Sequence, residues 1–189
     1  MTRSADAKPP ARTRGRPRSS VDQAVFAATL RTVHELGYMR ATVDRIAAEA
    51  GVAKTTIYRR WPTKGELITA CLVASFGPLP LRGENREADL EAVIRWGARQ
   101  LATPGIGAAF AGVFTDAVSD PELRTVLVTR LQDPYRLVLE KVLGESEQRV
   151  LFIVDVVMGT MLHRMGISGE LMVDEDVDAL VDMVLGMLR

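Results

Sequence analysis

The 189 residues include a single cysteine, Cys71, which excludes an intramolecular disulfide and gives no sign of an oxidising compartment. It lies in the apolar run LITACLVASF, where a packed thiol is expected rather than a reactive one. Histidine is almost as scarce. His34 and His163 are far from each other and from Cys71, so no metal-ligand spacing exists and neither a metal site nor a cofactor is expected. Long apolar runs are also lacking: VLFIV and VVM around Asp155 fall short of the roughly 18 to 20 residues that span a bilayer. The basic N-terminal stretch is not followed by an apolar signal-peptide core, so a soluble, cytoplasmic protein without a membrane partner is expected. There is no nucleophile elbow, phosphate loop or dinucleotide fingerprint, which argues against an enzyme.

What the sequence does have is a charge split hidden by a net charge of zero. Through Gly65 there are thirteen Lys/Arg against five Asp/Glu, net +8, and after it eleven against nineteen, net −8. A basic module suited to a polyanion is thus joined to an acidic module with another task. The expected division is a basic arm over 1–19, a DNA-reading head over 20–66 and a helical bundle over 67–189.

Residues 1–19 mix Pro, Arg, Ser, Ala and Gly without apolar period and read as an arm. From Ser20 the pattern becomes helical: Val21, Ala24, Val25 and Ala28 form one stripe and Phe26, Leu30 and Val33 another, ending at Gly37. Thr42 is an N-cap candidate for TVDRIAAEA, in which Val43, Ile46, Ala47 and Ala50 share a face, and Gly51 closes that helix. A short third helix follows, with Ala53 as a poor N-cap and Val52 and Ile57 placed for a hydrophobic staple. Pro62 stops it, and Thr63 with Glu66 has capping-box spacing for a fourth helix running to about Ser75. Helical periods then fill 88–102, 105–118, 120–143 with a kink at Pro134, 146–166 and 174–188, so the fold class is all-α. Between Val150 and Met158 the helix is apolar on nearly every face, which requires cover on two sides; a helix pair packing against its symmetry mate is the economical solution, and a central helix in a monomeric bundle is the alternative.

Two short helices joined at Gly51 and buttressed by a longer one have the form of a helix-turn-helix, whose second helix enters the DNA major groove. Ile57 and Trp61 at i and i+4 point inward, leaving Lys54, Thr55, Thr56 and Tyr58 outside. Lys suits guanine O6/N7 and Thr hydroxyls suit either donors or acceptors, while Tyr58, Arg59 and Arg60 suit phosphates. Lys64, beside the N–H groups that open the fourth helix, would complete a phosphate clamp, and Thr42 offers the same at the second helix.

Residues 25–70 resemble the DNA-binding domain of the TetR family of bacterial transcriptional regulators. The marks are the run GYMRATVDRIAAEAGV, the YRRW that closes the recognition helix and the KGEL that follows. Ala53, where the family more often has Ser, and Trp61, where it more often has Phe, depart from the pattern. The resemblance implies a homodimer, a three-helix DNA-binding head and a helical C-terminal domain that takes a small ligand and dimerises through its last two long helices. It carries the major-groove role onto Lys54, Thr55, Thr56 and Tyr58 and phosphate contacts onto Thr42, Tyr58, Arg59 and Lys64. In the arm, RTRGRPRS resembles an AT-hook core, with Arg14 and Arg16 suited to a minor groove.

Double-stranded DNA and a small-molecule effector are the partners expected of a repressor that binds a palindrome as a dimer. Ligand entry would act through the fourth helix. Candidate pocket residues are Trp96, Phe110, Phe114, Met158, Met161 and His163, since aromatic and Met side chains line adaptable apolar cavities. The alternative is a dimeric DNA-binding protein without a small-molecule switch, architectural or controlled by a protein partner; it predicts a filled core where the switch predicts an enclosed apolar cavity of roughly a few hundred Å³.

Overall fold

A computed structural model describes residues 18–83 and 85–188; residues 1–17 of the arm, with Arg14 and Arg16, lie outside the described residues, and its last two belong to the first helix. All regular structure described is helical: α1 (Arg18–Leu36), α2 (Val43–Ala50), α3 (Lys54–Tyr58), α4 (Lys64–Phe76), α5 (Arg86–Ala102), α6 (Ile106–Ser119), α7 (Pro121–Leu127), α8 (Asp133–Leu143), α9 (Glu147–His163) and α10 (Asp174–Gly186).

Local chemistry sets the boundaries of the first four. The Gly37 N–H reaches the Val33 carbonyl at 2.9 Å and its φ of 77° is left-handed, which ends α1. Thr42 Oγ1 accepts from the Arg45 N–H at 3.3 Å to open α2, and Thr63 Oγ1 accepts from the Glu66 N–H at 3.1 Å to open α4. No side chain caps α3, since the methyl of its N-cap residue Ala53 cannot accept a hydrogen bond. Although α3 proper ends at Tyr58, the Trp61 N–H still bonds to the Ile57 carbonyl at 2.9 Å, so helical turn persists up to Pro62.

Two apolar clusters divide the chain. One gathers Val25, Ala28, Val43, Ile46, Ala47, Ile57, Trp61 and Leu67 from α1–α4. The other runs from Val33, Tyr38, Ile68 and Leu72 through α5–α10. Successive residues of α4, Leu67 and Ile68, belong to different clusters, so α4 is shared by both. In the second cluster α5 and α6 meet at 93°.

Three expectations need correction. The helical segment expected over 120–143 with a kink at Pro134 is α7, a π-helical turn at Val128–Gln132 and α8. The Asp133 N–H reaches back five residues to the Val128 carbonyl immediately before Pro134, which has no N–H to give, so the ladder widens where a donor is missing. A second π turn, Arg164–Ser168, extends α9 beyond His163. Together they make a continuous helix, Glu147–Ser168, long and apolar enough by length and composition to cross a bilayer, contrary to the run length read around Asp155. Only 22% of its most apolar stretch is buried inside the chain; Val150, Ile153 and Val157 face the core while Phe152 is 55% exposed.

Candidate nucleic-acid interface and bundle cavity

The turn between α2 and α3 is fixed by backbone. Gly51 sits at φ 64°, its N–H bonds to the Ala48 carbonyl at 3.2 Å, and the Val52 N–H bonds to Ala47 at 3.0 Å. Val52 and Ile57 join the same cluster, as a staple requires, and the Trp61 ring packs on Phe26 of α1 with centroids 5.3 Å apart. An Arg31–Glu49 ion pair at 2.9 Å ties α1 to α2 on the surface. Burying Ile57 and Trp61 turns the opposite face of α3 outward: Lys54, Thr55, Tyr58 and Arg59 are exposed and Thr56 is half-buried, with exposed Thr42 beside them at the start of α2.

The cations on this face differ in freedom. Lys54 Nζ lies 2.6 Å from Asp44 Oδ1 and 5.6 Å from the Tyr58 ring centroid, and the carboxylate raises its pKa. Arg60, read as a phosphate ligand, is ion-paired with Asp22 of α1 instead. Lys64 does not project as a free clamp either. Its Nζ donates to the Tyr38 carbonyl at 2.5 Å and lies 3.7 Å from the centre of the Tyr38 ring, and burial lowers its pKa.

Tyr38, in the loop between α1 and α2, ties the head to α6 of the bundle. Its hydroxyl donates to Asp116 Oδ2 of α6 at 2.5 Å, and its ring lies so close to Gly112 that a Cβ there would come within 2.0 Å of Cγ. Burial first, then the Asp116 bond and charge, push the phenol pKa well above its ordinary value.

The inner side of α6 borders a cavity of about 220 Å³ walled by α4 to α9 and the first π turn. Five rings follow one another around it. Phe110 stacks on Phe114 at 5.9 Å and contacts Phe76 at 6.2 Å; Phe76 meets Trp96 at 5.7 Å, and Trp96 meets Tyr135 at 5.7 Å. Polar groups on the wall are few. The Tyr135 hydroxyl donates to the Gly77 carbonyl at 2.7 Å, and Arg136 is engaged by Asp133 at 3.1 Å, Glu147 at 3.4 Å and Glu140. Gln132 and the exposed Asp155, where the wall reaches the surface, complete them.

Of the six residues expected at a pocket, Trp96, Phe110, Phe114 and Met158 line this cavity. Met161 is buried beside Gly97, 3.9 Å from where a Cβ would stand, and His163 is exposed at the end of α9; neither is on the wall. His163 continues the outward stripe Gln148, Phe152, Asp155 and Gly159, at helical spacing. Sequence reading missed Phe76 and Tyr135, whose nearest signals were the aromatic end of α4 before GPLP and the Pro134 kink.

A three-helix head presenting an outward basic recognition helix, joined to a helical bundle around an apolar cavity, defines a DNA-binding regulator of the helix-turn-helix class. The chain belongs to the TetR family of bacterial regulatory proteins: residues 25–71 match the family's N-terminal model, "Bacterial regulatory proteins, tetR family", and residues 83–184 match "Tetracyclin repressor-like, C-terminal domain". The DNA-binding transcriptional repressor TetR of Mycobacteroides abscessus is 32% identical over 182 residues, covering 91% of this chain and 94% of that protein. The crystal structure of the TetR family transcription regulator SCO0332 superposes with a TM-score of 0.62 at 27% identity, over 88% of this chain and 98% of that one. A TetR transcriptional regulator from Rhodococcus sp. RHA1, at 16% identity, shares the fold with a TM-score of 0.71 over 92% of this chain and 97% of its own. The family consists of transcriptional regulators, not enzymes.

Proposed function

We propose that this regulator is a repressor that binds a palindromic operator as a homodimer and is released by a small, largely apolar effector. The carrying observation is that one helix, α6, has the aromatic cavity on one side and the Tyr38 joint to the head on the other. A cavity of about 220 Å³ favours the ligand-switched reading over a purely architectural one, for which a filled core was expected.

Thr42, Lys54, Thr55, Thr56, Tyr58 and Arg59 form the reading face, Lys64 joins it once released from Tyr38, and Arg14 and Arg16 add minor-groove contacts. Two such faces must sit about 34 to 36 Å apart to meet successive major grooves. The outward side of α9, with Phe152 at 55% exposure, and of α10, with Met183 at 51%, supports a second copy as the missing cover for the long apolar helix. Effector entry that moves α6 would shift Tyr38 and change that separation. Full reversal requires a difference in effector affinity between the two states of about 5.5 kcal/mol.

Trp96 lines the cavity whereas Trp61 is packed in the head, so emission from a Trp61→Phe variant reports cavity occupancy. Apolar aromatic compounds that quench Trp96 are expected to release DNA from the unmodified protein in the same concentration range. Quenching compounds that never change DNA affinity would defeat the effector reading.

A further inference from the structure

Lys54 and Asp44 are the first-turn residues of the recognition helix and of the helix before it, and their side chains bridge the two on the outward face. Lys54 Nζ and Asp44 Oδ1 are 2.6 Å apart, with side chains 49% and 65% exposed, and the Tyr58 ring flanks the ammonium at 5.6 Å. An acid here is costly for a surface that meets a polyanion. It lies in the same first turn as the Thr42 cap, where backbone N–H groups would receive a phosphate, and its charge opposes that contact. Its charge also favours the N-terminus of α2, but it takes no part in the head's core, which is built from Val25, Ile46, Ile57, Trp61 and their neighbours.

We infer that Asp44 is a specificity-determining positioning residue: it neutralises Lys54 toward phosphates and holds its ammonium at the height of the base edges, so that the lysine contributes to binding when a guanine is present to receive it. This rests on the DNA-reading assignment above. The physical argument is one of differences. A lone lysine at a groove edge is attracted by any phosphate and strengthens every complex alike. Paired with Asp44, it adds almost no net charge to a non-specific complex. Facing guanine O6 and N7, it gains acceptors that a phosphate register does not offer, and Asp44 stays at hand as an acceptor for cytosine N4–H. Discrimination rises because the wrong complexes are weakened.

The test uses the full chain, a duplex enriched from a random pool by the unmodified protein, and a scrambled duplex of the same length and composition. Asp44→Asn is expected to tighten binding to the scrambled duplex, to steepen its log K against log salt slope by about one, as one added phosphate contact does, and to lower the enriched-to-scrambled ratio about tenfold. Asp44→Glu, which keeps the charge, retains most of the ratio. In a Lys54→Met background the Asp44→Asn step no longer steepens the slope, because the ammonium it would free is gone. Equal steepening in both backgrounds would make Asp44 a generic surface charge and overturn the inference, as would an unchanged ratio in Asp44→Asn. A pool that enriches no sequence with the unmodified protein defeats the DNA-reading assignment, and this inference with it.

Discussion

From Val25 to Leu67 the head fills its own interior with eight buried residues and bounds its helices with local devices: Gly37, Thr42, Gly51, Thr63 and the Val52–Ile57 staple. The bundle, with a far larger cluster, leaves about 220 Å³ between its aromatic rings and turns Phe152 and Met183 outward. One region is complete as a single chain and the other is left open in two places. The difference matches the tasks proposed for them. A surface that reads base edges must be rigid before the encounter, whereas a bundle that responds to a ligand must have states close enough in energy for a small molecule to choose between them.

The largest expected effect tests the filled head. Ile57→Ala removes a residue 1% exposed at the centre of that cluster and is expected to cost about 2 to 5 kcal/mol in urea unfolding, with DNA binding lost. A cost below about 1 kcal/mol would mean the head relaxes as readily as the bundle. Next comes the joint. Gly112→Ala drives a Cβ into the Tyr38 ring and is expected to cost about 1 to 3 kcal/mol and to alter DNA affinity without touching the reading face. Unaltered DNA affinity despite the lost stability would uncouple the two regions. Smaller still are the caps: Thr42→Ala should lose, and Ala53→Ser should gain, about 1 kcal/mol, both read from thermal unfolding of the head. Smallest is the chemistry of Cys71, 1% exposed in α4, whose thiol burial pushes up to about 12. Because the folded pKa is raised, the thiolate is suppressed near neutrality and forms only as pH approaches that value, so labelling of the native protein should be slow and should accelerate on unfolding.

The same contrast explains what was legible beforehand. Caps and turns are local, so Gly37, Thr42, Gly51, Pro62 and Thr63 could be read from spacing alone, as could the inward pair Ile57 and Trp61. The partners of the cations could not. Lys64 finds the carbonyl of Tyr38, 26 residues earlier, and Arg60 finds Asp22, 38 residues earlier, and no periodicity encodes either meeting. In the bundle, Pro134 marked the disturbance, but a kink was expected where the chain widens into a π turn. Of the aromatic and Met residues expected at a pocket, Trp96, Phe110, Phe114 and Met158 lie on the cavity wall. Helical phase decided the others: Met161 turns toward Gly97 and His163 outward. Asp155 interrupted the apolar count, and so hid that α9 and its π extension form one long apolar helix.

The central claim, that two copies of α3 meet the same face of a duplex, is tested most directly by hydroxyl-radical footprinting on DNA enriched from a random pool. The account predicts two protected patches related by a dyad, with half-site centres one helical turn of about 10 to 10.5 base pairs apart, or a multiple of it. A single patch, or protection spread evenly along the duplex, would contradict it.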